Sequence, residues 1–173
     1  MSEGDDFSPL NGIDLCKEKV GKLWAMAGRW CEEGQKEYNV ANTSRSIRAA
    51  QIIAENFPCP VTYLGFDEGF SVITGGTEAI GDKNDALAIA MKAHGSENGR
   101  SSWDSMTALL AVIGDEEKAG YEKHCGIITF DSEGGSYFSS DTSSDRCYVT
   151  KKYDDSFYTE AINARISVDK NSR

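Results

Sequence analysis

The sequence predicts an α/β fold with a mainly parallel sheet flanked by helices and a C-terminal β-hairpin. A short apolar stretch that begins at Val20 and closes at Gly28 is typical of a buried strand. An amphipathic helix over residues 43–57 follows, and a β-branched and aromatic run, Val61–Leu64, comes after it. A strand, a helix and a strand in this order indicate two parallel strands joined by a crossover.

Local signals define the ends of these helices. Either Asn42 or Thr43 can cap the first helix, and Pro58 stops it. A second helix is predicted over residues 84–94 and a third over residues 101–113, with Gly95 ending the second.

The pattern changes after Gly126. Residues 127–130 and 136–138 flank a glycine-containing turn and predict a β-hairpin. Residues 146–150 predict one more strand, and residues 156–166 predict a last helix. With 173 residues the chain has the size of one domain, so we expect a single domain over 1–173 with a frayed tail at 167–173.

The charge balance argues against nucleic acid as a partner. The chain carries 28 acidic and 18 basic residues, a formal net charge of −10, which opposes broad contact with a phosphate backbone. No apolar run approaches the length that crosses a bilayer, and the N-terminus lacks the pattern of a secretory signal. We therefore expect a soluble, cytoplasmic protein without a membrane partner, whose ligand is a small molecule or another protein.

The cysteine pattern predicts reduced thiols. Five cysteines are an odd number, and none of them forms a CxxC pair. Several of them lie inside apolar runs, so buried or near-surface thiols of a cytoplasmic protein are favoured over zinc ligands or disulfides.

Three segments combine polar groups with positions where ligands can bind. In open α/β sheets ligands bind at the carboxyl ends of strands, which directs attention to Glu37 and Asn39 after the first strand and to residues 65–69 after the second. A carboxylate and an amide two residues apart in an extended segment point the same way and suit two sugar hydroxyls, although a solvated loop explains them too. Asp104 lies in the first turn of a predicted helix, where the helix dipole alone favours an acid.

The order of these motifs resembles the C-terminal half of the inosine/uridine-preferring nucleoside hydrolase family. The resemblance covers roughly residues 10 to 166 and rests on order and spacing rather than on any single motif. Its motifs are Leu23 to Gly28, Glu37 with Asn39, an alanine-rich helix, Pro58 to Val61, Gly65 to Gly69, Thr74 with Gly75, Ser102 to Asp104, and the closing hairpin.

This resemblance implies a function and a set of site residues. Members of the family hydrolyse the N-glycosidic bond of ribonucleosides with a water activated by calcium. By resemblance, Asp104 is a calcium ligand, Glu37 and Asn39 bind ribose hydroxyls, and Met26 lies where the family's loop enters the site. The implied ligand is a ribonucleoside or another ribose-containing small molecule.

The sequence also departs from the family pattern. The family's DxDxxxDD cluster, which supplies most calcium ligands, has no match in this chain, because Asp5 and Asp6 cannot form that motif. Trp103 stands where the best-known branch has a histidine before the calcium aspartate. We therefore expect a truncated hydrolase that is inactive alone and needs an N-terminal half. The alternatives are a degenerate ribose-binding or protein-interaction module, and self-association as a homo-oligomer.

Overall fold

The computed structural model describes residues 3–167, which form two compact units. The first unit contains residues 3–66 and 123–150, and the second contains residues 67–122 and 151–167. Whether they act as the single domain expected from the chain length stays a prediction, and the tail expected at 167–173 lies, apart from Ser167, outside the described residues. The fold is mixed α/β.

In the first unit, helices and short strands come first along the chain, and a run of longer strands follows. In order they are α1 (Gly12–Lys19), β1 (Leu23–Met26), β2 (Gln35–Lys36), α2 (Tyr38–Ala41), α3 (Ser44–Asn56), β3 (Val61–Leu64), β6 (Tyr121–Phe130), β7 (Gly135–Ser140) and β8 (Arg146–Lys151). The elements of the second unit are α4 (Phe66–Phe70), β4 (Ile73–Thr74), α5 (Thr77–Ile80), α6 (Ala86–Ala93), β5 (Arg100–Ser101), α7 (Trp103–Ile113) and α8 (Asp155–Ile166).

The six-stranded sheet is mixed, with the order β1-β3-β8-β6-β7-β2. β1 and β8 pair in parallel with β3, whereas β6 and β2 pair antiparallel with β7. The expectation of a mainly parallel sheet is not confirmed. The predicted hairpin is present as β6 and β7, with Phe130 opposite Ser136. It belongs to the same sheet, and its short turn can only return the chain antiparallel, so it adds antiparallel pairs to the sheet.

The main core of the first unit lies on the face of the sheet that α2 and α3 cover. Its fully buried members come from both halves of the sheet and from both helices: Val40, Ala54, Val61, Tyr63, Ile128 and Phe130. The Thr43 side chain accepts a hydrogen bond from Ser46 N at 3.1 Å and completes a capping box, so α3 begins where the sequence predicts.

Two cysteines correct the prediction of five reduced thiols. Cys125 on β6 and Cys147 on β8 form a disulfide with a Cα–Cα distance of 4.0 Å. Their separation of 22 residues hides this contact from sequence reasoning, because it depends on β6 and β8 being neighbours in the sheet. Cys16, Cys31 and Cys59 lie outside the disulfide.

We expect thiol titration to report this pairing. The unfolded, non-reduced chain should react with a thiol reagent at three cysteines and, after reduction, at all five. The Cys147→Ser variant is the matched control, because removing one partner leaves Cys125 reactive and gives four thiols before and after reduction. Five reactive thiols in the non-reduced chain would contradict the disulfide.

Candidate functional site

Three of the predicted site residues meet at the carboxyl end of β1. Met26 is the last residue of this strand, and the Asn39 side-chain Nδ2 lies 3.3 Å from the Met26 Sδ. The Asn39 backbone N–H donates to Glu37 Oε1 at 2.8 Å. The structure therefore brings Met26, Glu37 and Asn39 together in the first unit, at the kind of sheet edge where α/β proteins bind ligands.

Glu37 is held as the N-cap of α2 rather than in an extended segment. Its side chain is 3% exposed, and Glu37 Oε2 accepts from Val40 N at 3.2 Å in addition to the bond from Asn39. The expectation that the two side chains project from one extended strand is wrong, because the chain turns into a helix at Tyr38. Asn39 lies in the first turn of this helix with an exposed side chain.

The Glu37 carboxylate has acceptor positions left although it caps the helix and is 3% exposed. A carboxylate offers about four acceptor positions, and the two backbone N–H groups use one on each oxygen. The Asn39 carboxamide adds a donor and an acceptor beside it. The exposed Asn39 carboxamide can hydrogen-bond a hydroxyl group directly, whereas a hydroxyl group has to enter the buried space at Glu37 to reach its carboxylate.

Trp30 covers the ends of the two neighbouring parallel strands and was missed by the sequence reasoning. A Cβ added to Gly28 or Gly65 would lie 2.3 Å or 2.5 Å from the indole, so both glycines are needed for its close approach. The indole stacks on Tyr148 with a centroid distance of 5.4 Å. A glycine after each of two strands, with a tryptophan in the loop between them, is the signal that could have predicted this packing.

Two polar atoms in this aromatic cluster are buried without a hydrogen-bond partner among residues 3–167. They are Trp30 Nε1 and Tyr63 Oη, and the two rings lie 5.7 Å apart between centroids. Burial raises the pKa of Tyr63 to about 12, so the phenol stays protonated at neutral pH. The Trp30 indole thus covers Gly28 and Gly65, which follow β1 and β3, with apolar ring surface.

Asp104, the predicted calcium ligand, belongs to the second unit. It lies in the first turn of α7 with an exposed side chain and lines a cavity of about 610 Å³. The neighbouring Ser102 is 3% exposed and shares a hydrogen bond of 2.5 Å with Thr74 Oγ1, which holds the start of α7 against β4.

The donor set of the described residues does not amount to a calcium site. Calcium takes about six to eight oxygen ligands, and a carboxylate supplies at most two of them. Within residues 3–167, no group of three or more histidine, cysteine, aspartate or glutamate side chains could hold a metal ion. Asp104 can thus be one ligand of a cation, and we derive no reaction step through calcium.

Helix α4 contributes a partly buried carboxylate to the second unit. Glu68 Oε2 accepts from Lys151 N at 2.7 Å, and the Lys151 ammonium contacts Asp155 Oδ1 at 2.7 Å. Burial raises the pKa of Glu68, and the hydrogen bond from Lys151 opposes this shift. A raised pKa in the folded state means that ionising Glu68 costs stability.

The Glu68→Gln variant should therefore stabilise the protein at neutral pH. Below the ordinary glutamate pKa of 4.5 the side chain is neutral in both states; above it the unfolded chain ionises first, so folded stability falls as pH rises towards the raised folded pKa. Glutamine keeps an acceptor for Lys151 without the charge. We expect a higher melting temperature than wild type at pH 7 and an equal one at pH 4, measured by calorimetry.

The matched control for this experiment is Glu117→Gln. The Glu117 side chain is 85% exposed and pairs with Lys152 at 3.3 Å, so its neutralisation should change the melting temperature little at either pH. A Glu68→Gln variant that loses the same stability at pH 4 and pH 7 would contradict the inference that ionising this partly buried carboxyl group costs stability.

Neither histidine joins the candidate site residues. His94 is the C-cap of α6, as a helix-end position predicted, and its Nδ1 lies 2.8 Å from Ser96 Oγ. His124 lies on β6, where its ring stacks on Tyr148 and its Nε2 is 2.9 Å from Thr150 Oγ1. These contacts account for both side chains as structural groups.

Comparison with known proteins identifies no family. The chain matches no protein-family model, and no curated protein matches it. The likeness to nucleoside hydrolases therefore rests on the order of the motifs quoted above. No helix within residues 3–167 has the length and apolar character needed to cross a membrane.

Proposed function

We propose that this chain is a nucleoside-hydrolase-like protein that binds the ribose of a ribonucleoside through Glu37, Asn39 and Met26 and does not hydrolyse it alone. The observation that carries the proposal is that these three residues lie together at the carboxyl end of β1, where the Asn39 side chain contacts Met26 and the Asn39 backbone N–H donates to Glu37. The motif order resembles the nucleoside hydrolase architecture, and the same three residues are those that the resemblance assigns to the sugar.

Binding would use hydrogen bonds to two adjacent ribose hydroxyls. Each Glu37 carboxylate oxygen has an acceptor position left after its bond to the helix backbone. The Asn39 carboxamide belongs to the second residue of α2, two positions further along the chain. Because the carboxylate is pinned by Asn39 N and Val40 N, it is oriented before the ligand arrives, which reduces the entropy lost on binding. Met26 offers an apolar contact beside the sugar.

Hydrolysis is assigned only to a complemented form of the protein. Breaking an N-glycosidic bond requires an activated water, which the family obtains from calcium. Asp104 is the one calcium ligand that the resemblance assigns to this chain, and about six to eight oxygens are needed. The proposal takes the remaining carboxylates from a polypeptide segment outside residues 1–173, in the same chain or in another.

The Asn39→Ala variant tests the ribose site. We expect the wild-type chain to release heat with ribose, inosine and uridine in calorimetry, and Asn39→Ala to bind about fivefold to tenfold more weakly, as for the loss of one hydrogen bond of roughly 1 kcal/mol. Asn42→Ala is the matched control, because Asn42 is an exposed asparagine at the other end of α2. It should bind like wild type.

A turnover assay with the same preparations tests the second half of the proposal. The isolated chain with excess calcium should release no hypoxanthine from inosine and no uracil from uridine. Release of base at enzyme-like rates would refute the statement that the chain is inactive alone. Equal binding by wild type and Asn39→Ala would instead refute the assignment of the sugar site.

The alternative is a degenerate hydrolase-like module that acts by protein interaction. The observation that favours it is that Glu37 caps α2 and Asn39 contacts Met26. These contacts give the three residues a structural role without any ligand. The absence of heat with ribose, nucleosides and nucleotides would support this alternative.

The proposal keeps the cytoplasmic location that the sequence predicts. The Cys125–Cys147 disulfide is more typical of an oxidising compartment. A thiol titration that finds this disulfide would therefore argue against the cytoplasmic location.

A further inference from the structure

Helix α7 is apolar on two faces. Met106 and Leu110 are each 1% exposed and form the core of the second unit. On the other face, Ala108, Leu109 and Val112 continue the spacing of three and four residues that marks a helical stripe, and Val112 is 84% exposed. A surface helix of a globular protein normally carries polar residues on its outer face, so this sequence is typical of a helix covered on both sides.

The outer stripe of α7 lines the cavity of about 610 Å³ that also contains Asp104. The opposite walls are apolar as well and come from the same unit: Leu87 and Met91 belong to α6, and Ile162 and Ile166 belong to α8. We call this surface the α7 groove. A groove between helices, lined by aliphatic side chains and open along a helix, has the shape that accepts another helix.

The charges at the α7 groove indicate the chemistry of its occupant. Arg100 and Arg165 line it and are exposed, and Asp104 is its one acidic residue among those that the structure describes. Arg100 Nη1 lies 3.4 Å from His94 Nε2, and Arg165 Nη1 donates to the Ala161 carbonyl at 2.6 Å, which leaves other N–H groups on each guanidinium. Two exposed arginines against one aspartate, on a chain of net charge −10, favour an acidic partner segment.

We propose that the α7 groove is the docking site for an amphipathic helix of another polypeptide segment, with carboxylates flanking its apolar stripe. This inference rests on the proposed function, because it identifies the surface where a complementing segment would join, and Asp104 lies within it. The apolar stripe of the partner packs on Leu109 and Val112, and its carboxylates pair with Arg100 and Arg165.

Two labelled helical peptides of about 18 residues test the proposal. Both carry one stripe of leucine and alanine, flanked by glutamate in the first and by lysine in the second. Fluorescence anisotropy with the full chain should show binding of the acidic peptide about tenfold tighter than that of the basic one, a preference that falls in high salt. Equal binding of the two peptides, or binding of neither, overturns the proposal.

Variants of the chain identify the groove as the place of binding. Val112→Glu should weaken binding of the acidic peptide by about tenfold, since the substitution puts a charge into the apolar contact and repels the carboxylates of the peptide. Ile89→Glu is the matched control, because Ile89 is 55% exposed on α6 and does not line the groove. Equal effects of the two substitutions would overturn the assignment.

Two further measurements separate this proposal from its competitors. Light scattering should show a monomer; a dimer that Val112→Glu dissociates would make a second copy the occupant and overturn the proposal. Ribose calorimetry on Val112→Glu should match wild type, because Val112 lies in the second unit and Glu37 in the first. Peptide binding without ribose binding would refute the proposed sugar site alone, and the reverse would refute the groove alone.

Discussion

Replacing Trp30 with alanine should lower the free energy of unfolding by about 3–4 kcal/mol, the range for removing a large aromatic side chain from a packed site. Trp30 contacts three aromatic rings, with centroid distances of 5.4 Å to Tyr148, 5.7 Å to Tyr63 and 5.9 Å to Phe130. These rings join the parallel and antiparallel halves of the sheet, so the cavity left by the indole would open at their junction. Urea unfolding measured by circular dichroism gives the free energy.

Two other substitutions make this result specific. Trp30→Phe should cost clearly less, because it keeps an aromatic ring and removes the buried Nε1–H that has no partner within residues 3–167. Trp24→Ala is the control, since Trp24 on β1 alternates to the face opposite Leu23 and Ala25, which pack on the core as Trp30 does. If Trp24→Ala and Trp30→Ala lowered the free energy of unfolding equally, the aromatic cluster around Trp30 would contribute no more to stability than a tryptophan outside it.

Replacing Arg146 with methionine should cost about 3 kcal/mol, comparable with breaking a buried charged hydrogen-bond network. The Arg146 side chain is 11% exposed and donates to the carbonyls of Ala54 at 2.9 Å, Cys59 at 3.1 Å and Phe57. The last carbonyls of a helix lack partners inside the helix, so this guanidinium serves the end of α3 and the turn into β3. Methionine has similar length but would leave these carbonyls unpaired.

Arg48→Met is the matched control for Arg146→Met. Arg48 is an exposed arginine on α3 whose Nη1 lies 3.5 Å from Gln51 Oε1, so its loss should change the free energy of unfolding by less than about 0.5 kcal/mol. Urea unfolding of the two variants gives the comparison directly. Equal losses would mean that the cap formed by Arg146 does not stabilise the first unit.

The elements with strong local signals were predictable from the sequence. Residues 61–64 form a strand as expected, and α3 begins after Thr43 as its capping residue predicts. Their determinants lie within a few neighbouring positions: β-branched residues, a hydroxyl cap and a proline stop. The helices α6, α7 and α8 were likewise predicted to within about two residues, which is the usual uncertainty of helix ends.

The short elements β2 and α2 were not predictable, because distant contacts stabilise them. β2 has two residues and exists through pairing with β7, where Gln35 lies opposite Ser136. α2 has one turn, which depends on the Glu37 cap and on burial of Val40 in the core. The relative directions of the strands depend on such long-range pairings, and for this reason the sequence did not predict a mixed sheet.

The candidate site was partly predictable. The sequence placed Met26 at a strand end and Glu37 beside Asn39, and the structure brings all three together. It could not reveal that Glu37 is buried as a helix cap, since a glutamate before a tyrosine carries no signal for one helical turn. The packing of Trp30 over Gly28 and Gly65 also needs the neighbouring strands, which only the fold defines.

The most direct test of the central claim is a titration of the ¹⁵N-labelled chain with inosine, followed by two-dimensional amide NMR. The account predicts that the largest shifts occur at the Asn39 side-chain amide and at the backbone amides of Asn39 and Val40, because these groups touch the Glu37 carboxylate and the proposed sugar position. Saturating shifts confined to other residues, or no shifts at millimolar inosine, would contradict ribose binding by Glu37 and Asn39.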